Sequence, residues 1–123
     1  MIKEAYVSFE TAKLLKEKGF DWDCNAIYGR RGEFQRNTDR AFNNGGLHVT
    51  SAPTHQMACA WLREKGIYIT IIYGDYTANK KVFWTPQIDS LEGFDLPDSF
   101  YKEYDLYEDA VESALKYCLE NLI

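Results

Sequence analysis

Apolar residues recur at helical spacing in three stretches of this chain. Phe9, Ala12, Leu15 and, less centrally, Leu14 form the first stripe, with Lys13, Lys16 and Glu17 facing water. Ser8 precedes it as an N-cap whose hydroxyl can accept from the free amides of the first turn. Glu10 sits where the helix dipole favours an anion, and Gly19 supplies the left-handed stop. Met57, Ala58, Trp61 and Leu62 form the second stripe. That helix is predicted from Thr54, a capping residue behind strand-breaking Pro53, to Lys65, with Gly66 as its stop. The third stripe, Val111, Ala114, Leu115, Cys118 and Leu122, follows Asp105-Leu106-Tyr107-Glu108, an acidic relative of the capping box.

Strand patterns lie between the helices. Ile67 to Tyr73 is β-branched and aromatic and gives the strongest strand signal. A turn through Gly74-Asp75 to Asn79 leads into a second strand, Lys81 to Thr85, ended by Pro86. A third strand is predicted from Ser99 to Tyr104, with shorter ones at Asn25 to Tyr28 and Leu47 to Thr50. The joins are short, which implies antiparallel neighbours. The expected fold is α+β, one domain over residues 1–123. Its three amphipathic helices are expected on one face of a mainly antiparallel sheet of about 3–5 strands. Ile67, Ile69 and Ile71 would share one face of the hairpin and Tyr68, Thr70 and Ile72 the other, so both faces are apolar. The helices cover one; the segment Asp21 to Asn44 or a second subunit must cover the other.

Composition narrows the function. The net charge of −5 argues against bulk electrostatic grip on long nucleic acid or an anionic membrane. Cys24, Cys59 and Cys118 are odd in number and widely spaced, which is no disulfide framework and fits a reducing compartment. Met1 to Lys18 contains no apolar core of a signal peptide, and no apolar run approaches a membrane span, so a cytoplasmic location is expected.

Three stretches, YVSFETAKLLKEKGF (Tyr6 to Phe20), SAPTHQMACAWLREKGIYI (Ser51 to Ile69) and YEDAVESALKYCLENLI (Tyr107 to Ile123), resemble a family of small uncharacterised proteins. These are encoded by gut anaerobes and by their phages and mobile elements. The resemblance implies an accessory protein linked to phage–host conflict, and it brings no catalytic or binding residue with it.

The segment Tyr28 to Phe42 carries the densest candidate chemistry. Arg30, Arg31, Arg36 and Arg40 stand against Glu33 and Asp39, for a local charge of +2, interleaved with Tyr28, Phe34 and Phe42. Arginine forks pair with phosphate or carboxylate and flat rings stack on bases, so Tyr28, Arg30, Arg31, Phe34, Arg36 and Arg40 would suit a small anion such as a nucleotide or cyclic-nucleotide signal. The competing reading is a solvated hairpin whose arginines meet the acidic C-terminal helix of the same chain or of a neighbour; from Asp89 to Ile123 the local charge is −8. Gly29-Arg30-Arg31-Gly32 has the GxxG spacing of KH domains, but the flanking helices are missing and a hairpin turn fits better. The order of elements from Thr54 onward matches double-stranded-RNA-binding domains, but Asp105, Glu108 and Asp109 would repel RNA at the last helix. His55 and Cys59 lie four apart on one helix, which is too few ligands for zinc; His55 is read as solvent-facing and Cys59 as core.

No catalytic residue, metal ligand or cofactor is nominated. The leading expectation is a non-enzymatic protein that binds a small anionic ligand and forms a homodimer through aromatic surface. A protein–protein module using Tyr68, Ile72 and Trp84 is the alternative, and a small hydrolase or phosphodiesterase is the third reading.

Overall fold

The computed structural model describes residues 5–36, 41–46, 49–93 and 95–123. It is an α+β arrangement of three helices and two antiparallel sheets. Helix α1 spans Phe9–Glu17, α2 His55–Glu64 and α3 Tyr107–Asn121. Strands β1 (Ala26–Tyr28), β2 (Phe34–Arg36) and β3 (Thr50–Ser51) form a small sheet in the order β2-β1-β3. Strands β4 (Ile67–Tyr76) and β5 (Lys81–Ser90) form a long hairpin of their own. The sheet expected from the pattern is thus two sheets.

The first two helices begin and end where their local chemistry dictates. Ser8 Oγ accepts from Thr11 N at 3.2 Å, and Thr54 Oγ1 accepts from Met57 N at 3.1 Å. Gly19 and Gly66, at φ of 91° and 83°, take the left-handed conformation that stops each helix. The start of α3 differs from expectation. Its N-cap is Leu106, without a side-chain cap, and Asp105 lies exposed with a carboxylate oxygen 3.5 Å from Lys81 Nζ. Glu108 and Asp109 still place negative charge in the first turn.

The three stripes converge on one core. Ala12 and Leu15 of α1, Trp61 and Leu62 of α2, and Val111, Leu115, Cys118 and Leu119 of α3 meet Phe20, Ile67, Ile88 and Phe100. Each fully buried leucine here contributes about 1.5–3 kcal/mol relative to exposure. The third helix is central, packing on α1, on α2 and on both strands of the hairpin. The small sheet packs on α1 through β3. Lys16, expected in water, is half-buried and donates to the carbonyl oxygens of Gly46 and Val49, both at 2.8 Å.

Two strand expectations change. Strand β5 runs through Pro86 to Ser90. Trp84 exchanges both backbone bonds with Tyr104, at 2.8 Å each, so its N–H and C=O point away from β4. Pro86 has the same parity, so its missing N–H faces the edge and removes no rung of the hairpin. The strand expected from Ser99 to Tyr104 reduces to that single bridge at Tyr104, after a 3-10 turn at Asp98–Phe100. The short strand expected at Leu47 to Thr50 is seen as Thr50–Ser51, and residues 47 and 48 lie outside the described residues. Among the described residues, no helix is long and apolar enough to cross a membrane.

Candidate functional site

The arginine segment forms the β1–β2 hairpin. Gly29 and Gly32 shape its turn, with Gly32 at φ 87° and its N–H donating to Gly29 O at 3.0 Å. Tyr28 and Phe34 stand opposite each other, with ring centroids 5.5 Å apart, and Phe9 and Tyr6 extend the cluster at 5.3 and 5.1 Å. The Tyr28 hydroxyl donates to Val7 O at 2.5 Å, which pins the hairpin to the chain entering α1. Arg30, Arg31 and Arg36 are exposed. Among the described residues none of the three has an ion pair or stacks on a ring, so within the chain they do not meet the acidic α3. Arg40 lies outside the described residues. Two of the expected site residues, Tyr28 and Phe34, are therefore together and half engaged in packing, while three arginines project into solvent.

A more enclosed site lies elsewhere. A cleft of about 520 Å³ opens between α2, β4 and the start of α3. His55, Cys59 and Arg63, four residues apart on one face of α2, form one wall. Ile69 and Ile71 of β4, with Val111 of α3, make it apolar, and Tyr107 and Glu108 close the α3 side.

The polar end of this cleft is fixed by Glu112. Its carboxylate accepts from Ser8 N at 2.8 Å, Ser8 Oγ at 3.0 Å, Thr11 Oγ1 at 2.6 Å and His55 Nε2 at 2.9 Å. Burial pushes the Glu112 carboxyl upward, but the hydrogen bonds from His55, Thr11 and Ser8 outweigh it and hold the group below the ordinary carboxylate value. An ionised carboxylate only accepts, so His55 carries its hydrogen on Nε2 and a neutral ring keeps Nδ1 as an acceptor. With its side chain only 11% exposed, His55 is not the solvent-facing residue expected from its place in the first turn of α2.

No model of a protein family, no curated protein and no solved structure matches this chain. The site's chemistry therefore rests on its geometry. Burial pushes the Cys59 thiol up, with Arg63 opposing it only in part. Burial also raises Cys24 to about 11 and Cys118 to about 12, so all three thiols stay protonated at neutral pH. Among the described residues, no three His, Cys, Asp or Glu side chains gather as a metal site would need.

The hairpin β4–β5 carries the remaining expected residues, on opposite faces. Tyr68 and Ile72 lie on the outer face, 37% and 44% exposed. Trp84 lies on the inner face, with its ring 5.7 Å from Tyr73 and 5.3 Å from Tyr107. Strands β1 and β2, from the described part of residues 21–44, pair with β3, which packs on α1, and they leave the outer face open. The expected interface joined Trp84 to Tyr68 and Ile72; strand parity puts Trp84 on the other face.

Arg63 and Glu112 had no distinctive sequence signal. The His55–Cys59 spacing was visible, but Glu112, the partner of His55, lies 57 residues beyond it.

Proposed function

We propose that the protein is a non-enzymatic binding protein for a small anionic ligand with a flat or apolar body, and that the ligand sits in the α2–β4–α3 cleft. The observation that carries this reading is the cleft's lining: a guanidinium, Arg63, beside walls of Ile69, Ile71 and Val111. Its volume of about 520 Å³ falls among ordinary small-molecule sites, which combine apolar walls with a few convergent polar groups. Arg63 would pair the anionic group, Tyr107 would offer a ring face, and Nδ1 of His55 would accept a hydrogen bond from the ligand body. Glu112 is already engaged by four donors, so its charge is largely spent within the protein. The raised Cys59 thiol favours binding over nucleophilic chemistry. A nucleotide, or a cyclic-nucleotide signal withdrawn from solution during phage–host conflict, is the finer form of this proposal.

Titration calorimetry with mononucleotides, cyclic nucleotides and aromatic carboxylates tests it. Saturable heat is expected for the native chain, weakened about tenfold or more by Arg63→Ala, a loss of about 1.4 kcal/mol. If the joint change of Arg30, Arg31 and Arg36 to Ala abolishes binding while Arg63→Ala does not, the ligand belongs to the β1–β2 hairpin instead. Silence across the whole panel rejects small-anion binding.

A further inference from the structure

Strand β4 is paired on one edge only. Its partner is β5, and among the described residues no backbone hydrogen bond reaches its other edge. Parity identifies which groups are open. Trp84 turns its backbone N–H and C=O toward Tyr104, so the pair Tyr73–Trp84 is a non-hydrogen-bonded one. The backbone groups of Ile67, Ile69, Ile71 and Tyr73 therefore point away from β5. Three usual protections of such an edge are missing: from Ile67 to Gly74 there is no charged residue, no proline and no bulge in the register. The outer face next to that edge carries the exposed Tyr68 and Ile72.

We propose that β4 pairs antiparallel with β4 of a second copy, about a two-fold axis through Thr70, giving a continuous sheet β5–β4–β4–β5. The open groups belong to odd-numbered residues, so a self-pairing must bond odd to odd. Centred on Thr70, the register bonds Ile69 to Ile71 of the second copy and Ile67 to its Tyr73. On the outer face it sets Tyr68 against Ile72 twice, with Thr70 against itself; aromatic–β-branched and Thr–Thr pairs are both favourable neighbours. Centring on Ile71 would instead set Tyr68 against Gly74 and Ile67 against the carboxylate of Asp75, which is worse on both counts.

Self-complementarity selects a second copy as the occupant of this edge, since one register pairs Tyr68 with Ile72 twice and Thr70 with itself. Charge does not oppose that register. With a net charge of −5, two chains repel over most of their surface. The Thr70-centred register opposes no two like charges, because every paired residue from Ile67 to Tyr73 is uncharged. The contact is isologous and closes on itself, so it ends at a dimer instead of growing into a fibre.

Sedimentation equilibrium of the intact chain, native and Thr70→Lys, is the test. Thr70 is exposed, and the variant sets two ammonium groups side by side on the axis without touching the core. The native chain is expected as a dimer, and the variant's dissociation constant is expected to rise roughly tenfold or more. Mild oxidation gives a readout independent of that variant. Thr70→Cys is expected to cross-link to itself across the axis, whereas Ile72→Cys, which faces Tyr68, is not. A native chain that stays monomeric at its highest soluble concentration overturns the proposal. So does equal cross-linking at positions 70 and 72, which would mean a contact without this register.

Discussion

The N-terminal end of α1 has polar groups on two sides, and the two sides handle them in opposite ways. On one side Glu112 draws in Ser8, Thr11 and His55, so that a half-buried carboxylate, two hydroxyls and an imidazole satisfy one another. On the other side the β1–β2 hairpin holds itself to the chain by packing Tyr28 and Phe34 against Phe9 and Tyr6, and leaves Arg30, Arg31 and Arg36 in water. Charge density in the sequence is higher in the hairpin. The energetic weight lies with Glu112, because a charge contributes more to the fold where water is partly excluded and its partners are fixed.

Removing the centre of the first cluster should have the largest effect. Glu112→Ala leaves the N-cap amide of Ser8 and the Thr11 hydroxyl without their acceptor and is expected to cost about 3 kcal/mol, read as a lower midpoint in urea unfolding. The pH dependence sharpens the same point. The folded Glu112 carboxyl lies below its ordinary value, so its contribution is complete above the unfolded value, about 4.3, and is lost as pH falls through the lower folded value. The native chain should lose stability in that acid window more steeply than Glu112→Ala; equal slopes would mean that the cluster carries no ionic stabilisation.

The hairpin should respond to its backbone more than to its charges. Gly32 sits at φ 87°, and a Cβ there would come 2.8 Å from Phe9 Cδ2. Gly32→Ala is expected to cost about 1–2 kcal/mol, measured by thermal unfolding. The smallest effect is expected from changing Arg30, Arg31 and Arg36 together to Ala, within about 0.5 kcal/mol of the native stability. A larger loss would show that the arginines have partners in the folded chain and would erase the contrast with Glu112.

Much of this architecture was legible before any coordinates. All three helices, with the caps at Ser8 and Thr54 and the stops at Gly19 and Gly66, follow from patterns only a few residues wide. The Gly29–Gly32 turn and the β4–β5 pairing were legible for the same reason. Asp105 shows where a local signal fails. It has the residue type of an N-cap, yet the helix begins at Tyr107, so the first turn of α3 is set by its packing against Trp84 and the hairpin. Pro86 fails in the other direction, since a strand-ending residue is harmless when its missing donor faces the edge.

The candidate site was much less legible than the fold. His55 and Cys59 were visible only as a spacing, Arg63 carried no signal, and nothing local to α2 says that the wall facing them comes from β4 and α3. By itself the sequence determined the elements, their apolar faces and the concentration of arginine at residues 30–40, because propensity, capping and periodicity act between neighbours along the chain. Tertiary structure alone decided which polar groups meet. Ser8 and Glu112 lie 104 residues apart, and their contact is made by α1 and α3 packing side by side. Hydrogen bonds and pKa shifts depend on distance in space and on exclusion of water, and neither can be read from order along the chain.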